Sequence, residues 1–404
     1  MTRPLRLLTF TTLYPNAAQP HHGVFVENRL RHLLEHDPGI AARVVAPVPW
    51  FPFSHPRFGG YAAFARAPAA ETRNGIAVEH PRYPVIPKVG MTAAPYLLYR
   101  AARPVLERLR AGGYRFDMID AHYFYPDGVA AAMLARHFGV PLSITARGTD
   151  INLIPRYPRP RRMIRWAAGQ ADALVTVCEA LKDGLVDLGV PAGRVTTLRN
   201  GVDLSMFRPS ADRAALRRDL GLPPPGLAPV LASVGHLIER KRHHLAIEAL
   251  PHLPPETRLL IAGEGPEEDA LKRRAAVLGV AGRVRFLGRL PHDRLHEVYG
   301  ACDALVLASS REGWANVLLE AMACGTPVAA SRIWGTPEVV AAPEAGRLFD
   351  DPTGAAVAGA VAALLADLPD RAATRAYAER FGWEDTSRGQ ARLFRAAVGA
   401  PAAA

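Results

Sequence analysis

The sequence predicts an α/β protein made of two doubly wound domains, each with a mostly parallel sheet. Short apolar runs that end near glycine, proline or a polar residue alternate with longer segments whose apolar residues recur every three or four positions. This strand–helix alternation is typical of doubly wound sheets, and it occurs in both halves of the chain. With 404 residues, 49% of them hydrophobic, the chain is long and apolar enough to bury two cores.

The predicted strands fall into two groups. Those of the first half are LRLLTFT, ARVVAPV, FDMIDAH, PLSITA, ALVTVC and RVTTLRN, and those of the second are PVLASVG, RLLIAG, VRFLG, ALVLAS and TPVAAS. Residues 204–229 are rich in proline, arginine and glycine and are predicted as the domain junction. We therefore place the N-terminal domain at 1–205 and the C-terminal domain at 206–385. Ligands of open sheets bind at the carboxyl ends of the strands, so two such domains facing each other would form a deep cleft.

The sequence argues against a secreted protein, a membrane-spanning protein and a protein held together by disulfides or zinc. The N-terminus lacks the cleavage site of a secretory signal, and the longest apolar run, 355–366, is shorter than the ~20 residues of a membrane span. We expect a cytoplasmic protein, attached at most to the inner face of the plasma membrane. The three cysteines show no CxxC or Cys/His spacing, which argues against a disulfide framework and a structural zinc site.

The net charge of +11 is compatible with three kinds of partner: nucleic acid, an anionic lipid surface or a phosphorylated small molecule. No nucleic-acid recognition motif accompanies the charge, so we expect no nucleic-acid partner.

Several histidines occur in closely spaced pairs, but we do not interpret them as a metal site. HLLEH at 32–36 has the spacing of an inverted zinc-protease motif, but its leucines predict a core-facing helix and no third ligand is evident. The other clustered histidines are interpreted as solvated or capping residues: His21, His22, His243, His244, His292 and His296. The chain also lacks a Walker loop, a complete GxGxxG, a GxSxG elbow and a DxD motif.

The segment 308–331, ASSREGWANVLLEAMACGTPVAAS, carries the strongest chemical signal. A strand leads into a loop with Glu312 and Gly313, and a helix is predicted to start near Asn316 with Glu320 inside it. The start of a helix suits a phosphate or diphosphate, and carboxylates accept the hydrogen bonds of sugar hydroxyls. Taken alone, Glu312 could equally serve the helix dipole, and Glu320 could be an ordinary surface glutamate.

A basic turn follows the first strand of the second half. It holds Arg240, Lys241 and Arg242, and a lysine there can neutralise a leaving diphosphate through charge-assisted hydrogen bonds. Two further strands end in glycine loops on the same predicted edge, LLIAGEGP with Gly263 and FLGRLP with Gly288.

Together these motifs resemble the retaining glycosyltransferases of family 4, which have the GT-B fold of two Rossmann-like domains. The resemblance covers residues 5–394 and is most specific in EGxxNVLLEAMACGTPV. Matching segments elsewhere are LYPNAAQPHHGVFVENRLRHL, DMIDAHYFYPDGVAAAMLARHFGVP, TARGTD, VTVCEALKDGLVDLGVPAGRVTTLRNGVDLSMFRP and IAGEGP. Within the family, the chain is similar to bacterial enzymes of teichuronic acid and exopolysaccharide assembly.

The resemblance implies a donor site in the C-terminal domain. Glu312 would hold hydroxyls of the donor sugar, Glu320 the nucleotide ribose and Lys241 the diphosphate. Further donor contacts are implied at Gly23, His236, Arg240, Gly263, Gly288, Gly313, Asn316 and Val317. His236 stands where many members have arginine, so that diphosphate contact is expected to be weaker or to come from Arg240.

In the N-terminal domain, the resemblance places His122 beside the reacting sugar, as a catalytic residue together with Lys241 and Glu312. Arg147 stands where the family often has histidine, which puts a simple transfer of that histidine's acceptor-side role in doubt. Arg147 and Asp150 are candidate acceptor contacts, and they could equally only shape their loop. The last helix, about 386–404, is implied to pack back on this domain.

The implied reaction moves a sugar from a UDP- or GDP-sugar to a hydroxyl of a glycan or lipid-linked acceptor, with retention and without metal or other cofactor. The aromatic and basic segments 50–68 and 81–104 are candidates for an anionic membrane face, or are ordinary surface. The alternatives are a nucleotide-sugar epimerase, a glycogen- or trehalose-type enzyme of the same fold, and a non-catalytic basic membrane-binding protein.

Overall fold

The computed structural model describes residues 3–55, 57, 60–85 and 90–399. The chain forms two compact units: the first runs to Asn200 and resumes at Trp383, and the second is Gly201–Gly382. The predicted boundaries lay at 205/206 and 385/386, a few residues further along the chain.

The first unit contains a mixed sheet with the strand order β10-β9-β8-β7-β1-β2-β5-β4, in which only β4 and β5 pair antiparallel. A short parallel pair, β3 and β6, stands apart. The strands are β1 Leu5–Phe10, β2 Ile40–Val45, β3 Val48–Pro49, β4 Ala70–Arg73, β5 Ile76–Glu79, β6 Arg82–Tyr83, β7 Met118–His122, β8 Leu142–Ala146, β9 Ala173–Thr176 and β10 Val195–Thr197. The helices are α1 Val24–His36, α2 Gly60–Arg66, α3 Ala94–Ala111, α4 Val129–Phe138, α5 Thr149–Asn152, α6 Pro158–Gln170, α7 Glu179–Asp187 and, from the C-terminal segment, α16 Glu384–Ala397.

The second unit contains a parallel sheet with the order β13-β12-β11-β14-β15-β16. Its strands are β11 Val230–Val234, β12 Arg258–Ala262, β13 Val284–Gly288, β14 Ala304–Leu307, β15 Val328–Ser331 and β16 Gly346–Phe349. Its helices are α8 Arg213–Asp219, α9 His243–Ala249, α10 Glu268–Val277, α11 Leu295–Ala301, α12 Asn316–Ala323, α13 Thr336–Val339, α14 Gly354–Ala366 and α15 Arg371–Glu379.

Both sheets have a switch point, where neighbouring strands lead to connections on opposite sides. It lies between β11 and β14 in the second unit and between β1 and β7 in the first. Ligands of open sheets bind at the carboxyl ends of the strands beside such a point. The loops after these four strands are therefore the places to look for a site.

The Pro-, Arg- and Gly-rich stretch 204–229 is not a junction, and that prediction was wrong. It lies inside the second unit and contains α8. Arg217 of this helix is fully buried and donates to Asp303 Oδ2 at 2.6 Å and to the carbonyl of Ala301 at 2.8 Å. Its Nη1 also donates to the carbonyls of Pro223 and Pro224, so a buried arginine anchors the proline-rich turn.

The predicted C-terminal helix packs on α1. Phe394 is fully buried in the same cluster as Val26 and Leu30, and Arg395 forms a two-bond ion pair with Asp37. The end predicted for this helix, 404, lies outside the described residues, as do parts of the candidate membrane segments at 56, 58, 59 and 86–89. Of the helices that the structure describes, none is both long and apolar enough to cross a membrane.

Candidate functional site

The second unit brings Lys241 and Glu312 together at its switch point. Lys241 ends a turn of 3₁₀ helix after β11, and Glu312 lies in the loop after β14. Because β11 and β14 are adjacent parallel strands, their following loops meet. Lys241 Nζ lies 2.6 Å from Glu312 Oε1, and the two side chains are 13% and 10% exposed.

Arg240 joins the same cluster. Its Nη1 donates to Glu312 Oε1 at 3.1 Å and to the carbonyl of Arg311 at 2.7 Å. The backbone amide of Ser310 donates to the carbonyl of Arg240 at 2.8 Å, so the basic turn and the Glu312 loop are tied directly. The fold thus brings Arg240, Lys241 and Glu312, three of the residues predicted for the donor site, into one cluster.

The Glu312 carboxyl is ionised in this setting. Burial alone raises its pKa, but the charges of Lys241 and Arg240 outweigh burial and lower the pKa below its usual value. The cluster carries two positive charges against one negative charge. It therefore keeps a positive excess beside the start of α12, a combination suited to a diphosphate.

Helix α12 begins at Asn316, as the sequence predicts, with Ala315 at the position before it. Alanine has no polar side-chain atom to cap the first amides of the helix, including that of Val317. Gly313 and Trp314, which precede the helix in the loop after β14, are buried.

Glu320 lies on α12 and is also buried. Tyr299 Oη donates to its Oε2 at 2.9 Å, and His292 Nε2 lies 3.0 Å from its Oε1. The prediction of His292 as a solvated or capping histidine was therefore wrong, because its ring faces a buried carboxylate. His243 is likewise buried and bonds through Nδ1 to Ser233 Oγ at 2.8 Å.

The glycine loops serve close packing of the backbone. A side chain on Gly263 would place Cβ 1.9 Å from the carbonyl oxygen of Gly235, and one on Gly265 would lie 2.3 Å from that of Leu237. IAGEGP thus lets the loop after β12 lie against the loop that leads to Lys241. Gly288 ends β13 with a φ of 66°, and among the residues that the structure describes no atom beyond its chain neighbours lies within 4 Å of the Cβ position there.

His236 precedes the basic turn and is exposed. Partial burial, together with the charges of Lys241, Arg289 and Arg240, lowers its pKa. A neutral imidazole in this position adds no positive charge to the cluster, unlike the arginine frequent in the family.

In the first unit, Gly23 lies against the loop after β1. It precedes α1 with a φ of 71°, and a Cβ there would lie 2.3 Å from the backbone of Leu13. The same loop is held by Asp127, which accepts from the Thr12 amide at 2.6 Å. Asp127 follows β7, so the two loops beside this switch point are joined.

His122 ends β7 and has both ring nitrogens bonded. Arg147 Nη2 lies 2.6 Å from Nδ1, and Asp120 Oδ2 lies 3.0 Å from Nε2. A guanidinium can only donate, so Nδ1 accepts and Nε2–H donates to Asp120. Burial lowers the pKa of His122 to about 4, so the ring is neutral and the contact with Asp120 is a hydrogen bond.

Arg147 belongs to a buried polar network that sequence reasoning missed. Asn200 Oδ1 accepts from Arg147 Nη1 at 3.0 Å and from Arg29 Nη1 at 3.2 Å. Arg29 Nε donates to Gln390 Oε1 at 2.9 Å. These residues come from four distant segments with no shared spacing, so only the fold could reveal the network.

Asp150 is fully buried and accepts backbone amides. Its carboxylate receives the N–H groups of Phe124 at 2.7 Å, Gly148 at 2.7 Å and Arg147 at 3.1 Å. Asp150 therefore shapes the loop after β8 and fixes the backbone of Arg147.

The low pKa of His122 predicts a pH-dependent stability. The unfolded chain binds a proton near pH 6.5 while the folded chain does not until about pH 4, so the free energy of unfolding falls on acidification across this window. The difference corresponds to about 3 kcal/mol. Asp127 and His243 also have shifted pKa values and contribute to the pH dependence of stability. The free energy of unfolding from urea denaturation is therefore measured against pH for both the wild-type chain and a His122→Asn variant. Parallel curves for the two proteins would contradict the assignment.

No group of three or more His, Cys, Asp or Glu side chains within 3–55, 57, 60–85 and 90–399 is arranged to hold a metal ion. The site residues instead form three clusters: Arg240, Lys241 and Glu312; His292, Tyr299 and Glu320; and His122, Arg147 and Asn200.

Comparisons with known proteins identify the family of the chain. Residues 219–381 match the family model "Glycosyl transferases group 1", and residues 61–206 match "Glycosyltransferase Family 4". TuaC of Bacillus subtilis, a protein named for teichuronic acid biosynthesis, is 28% identical over 82% of each chain. A D-inositol 3-phosphate glycosyltransferase of Acidothermus cellulolyticus is 35% identical over 72% of this chain and 69% of its own length.

The fold has solved counterparts. The crystal structure of Anabaena Alr3699/HepE in complex with UDP superposes with a TM-score of 0.74 at 21% identity, over 97% of this chain and 100% of that one. A further structure of the same protein contains UDP-glucose. With two α/β units, parallel strands around both switch points and these relatives, the chain belongs to glycosyltransferase family 4 and has the GT-B fold.

Proposed function

We propose that this chain is a retaining, metal-independent glycosyltransferase of surface polysaccharide assembly. It moves a sugar from a UDP- or GDP-sugar to a hydroxyl of a glycan or lipid-linked acceptor and uses no cofactor. The observation that carries the proposal is the buried Lys241–Glu312 pair beside the start of α12. Among family relatives, the names teichuronic acid and D-inositol 3-phosphate support an acceptor that carries hydroxyls.

Donor binding is assigned to the second unit. Lys241 and Arg240 neutralise the diphosphate, amides at the start of α12 bond to it, and Glu312 accepts hydroxyl hydrogen bonds of the sugar. Such prearranged positive charge stabilises the diphosphate that develops as leaving group in the transition state. UDP and UDP-glucose in the HepE structures support a uridine nucleotide as donor.

The sugar transfer is proposed to occur on one face. The bond between the anomeric carbon and the phosphate oxygen breaks as the acceptor oxygen attacks the same carbon, and the leaving phosphate oxygen takes the acceptor proton. His122 stays assigned to the reacting sugar as a contact residue. We assign it no proton transfer because both ring nitrogens are bonded within the protein.

Acceptor recognition is assigned to the first unit. Arg147 and Asp150 are the candidate acceptor contacts; Arg147 is buried, and the charges of Arg29, Asp120 and Asp150 all act on it. Exposed aromatic side chains at Trp50, Phe53 and Tyr61 support attachment of this unit to the cytoplasmic membrane surface.

A donor screen followed by a transfer assay tests the proposal. One UDP- or GDP-sugar is expected to raise the thermal transition, because it binds only the folded chain. With membrane lipid extract and EDTA, the same sugar should be transferred with retention of anomeric configuration by NMR. Glu312→Gln is expected to lower this transfer about 10²-fold. Binding without transfer would favour the membrane-binding alternative, and isomerisation without acceptor would favour the epimerase.

A further inference from the structure

The carboxylate of Glu320 is held by two side chains from outside its own helix. Tyr299, on α11, donates its hydroxyl to Oε2 at 2.9 Å. His292, in the turn before α11, places Nε2 3.0 Å from Oε1. Each carboxylate oxygen is thus bound by one protein group, so the plane of the carboxylate is fixed.

The two holding side chains are themselves fixed. Tyr299 is fully buried, and its carbonyl accepts from Thr326 Oγ1 at 2.6 Å. The ring of Phe207 lies edge-on to His292 at 5.2 Å between centroids and 6.0 Å from the ring of Tyr299. Packing therefore limits the rotamers that either side chain could adopt.

The Glu320 carboxylate has acceptor positions that Tyr299 and His292 do not use. An ionised carboxylate accepts about four hydrogen bonds, two on each oxygen. Tyr299 and His292 use one on each oxygen, which leaves one position on Oε1 and one on Oε2. Two adjacent hydroxyls, as in a vicinal diol, match this remaining pair.

The charges around His292 favour its role as a donor. Burial alone lowers the pKa of His292, but the hydrogen bond and charge of Glu320, with Asp203 and Asp293, raise it above the usual value. Burial and Glu320 raise the pKa of Tyr299 far above its usual value, so its hydroxyl keeps the proton that it donates. Both neighbours of Glu320 are therefore donors near neutral pH.

We infer that His292 and Tyr299 are positioning residues that orient Glu320 to bind the vicinal diol of a ribose, so that the site selects ribonucleotides over 2′,3′-dideoxyribonucleotides. The inference rests on the proposed function, which places a nucleoside diphosphate in the second unit. His292 and Tyr299 act through Glu320 and need not touch the nucleotide.

The test compares UDP and GDP with their 2′,3′-dideoxy counterparts by isothermal titration calorimetry. The ratio of dissociation constants, dideoxy over ribo, measures diol recognition. His292→Ala and Tyr299→Phe are each expected to lower this ratio about tenfold, the effect of losing one hydrogen bond to a charged group. His292→Gln, which keeps a donor near the Nε2 position, should restore most of it. His296→Gln is the matched control, because His296 bonds to the Asp293 carbonyl and not to Glu320.

A double variant distinguishes a positioning role of His292 from a general effect of its replacement on the nucleotide site. In a Glu320→Gln background, His292→Ala should leave the ratio unchanged, because the carboxylate that it orients is gone. In transfer assays, His292→Ala should raise the donor KM about tenfold and change kcat by less than about twofold.

Two outcomes would overturn the inference: an unchanged ratio in His292→Ala, or an equal further loss in the Glu320→Gln background. If the wild-type chain binds neither UDP nor GDP, the proposed function fails instead. If it binds one of them and His292→Ala keeps the ratio, only the positioning role fails.

Discussion

Replacing Lys241 by alanine is expected to lower kcat/KM for sugar transfer by about 10²- to 10³-fold. Lys241 bears one of the two positive charges beside Glu312, and its side chain is largely buried, so water would not replace its charge fully. The loss of one prearranged donor at a developing negative charge has effects of this size. Initial rates of nucleoside diphosphate release across donor concentrations would measure it.

Lys272→Ala is the matched control for Lys241→Ala. Lys272 is exposed and pairs with Glu268 one helical turn away on α10, so its removal should leave kcat/KM within about twofold. Arg240 remains beside Glu312 in the Lys241 variant, which keeps the loop in place. Equal rates for the wild-type chain and Lys241→Ala would refute the diphosphate assignment.

The second large effect concerns stability. Arg217→Ala is expected to lower the free energy of unfolding of the second unit by about 3–5 kcal/mol, since it breaks a buried ion pair with Asp303 and removes the donor to buried backbone carbonyls. Arg217 is fully buried on Asp303 and also holds carbonyls of the proline-rich turn. Urea denaturation followed by far-ultraviolet circular dichroism would measure the change.

Arg218 is the natural comparison because it is adjacent in sequence and exposed. Arg218→Ala should change the free energy of unfolding by less than about 0.5 kcal/mol. Arg213 also contacts Asp303 and would remain in both variants, which sets the lower end of the range expected for Arg217→Ala. Similar denaturation midpoints for the two variants would contradict the buried-anchor role.

Strands with long apolar runs could be predicted from sequence, and each of the eleven predicted segments overlaps an observed strand. The hairpin β4–β5 was missed because its strands are short and partly polar. Its signal was present as Asn74–Gly75, whose positive φ values of 49° and 76° fit the two-residue turn of a hairpin. Strand β16 is four residues long and begins with glycine, which leaves little pattern to detect.

Some residues of the candidate site could likewise be predicted from the sequence, and others could not. Lys241 and Glu312 could be predicted because each follows a strand, and strand ends converge in a doubly wound sheet. His292 was misjudged because its sequence neighbours are polar, whereas the groups that bury it come from α12 and from Phe207. Arg217 was missed for a related reason: a charged residue among alanines and arginines gives no local sign that it is buried.

The discontinuity of the first unit affects how the two units can be produced separately. A fragment that stops at Asn200 would lack α16 and leave the apolar partners of Phe394 uncovered, which invites aggregation. Residues 201–382 are continuous, and the amide of Val202 donates to the carbonyl of Phe381 at 2.9 Å, so the ends of this insert are adjacent. Thr386 also bonds to the carbonyl of Arg199. A short linker from Asn200 to Trp383 would therefore excise the second unit and leave the first with its complete core.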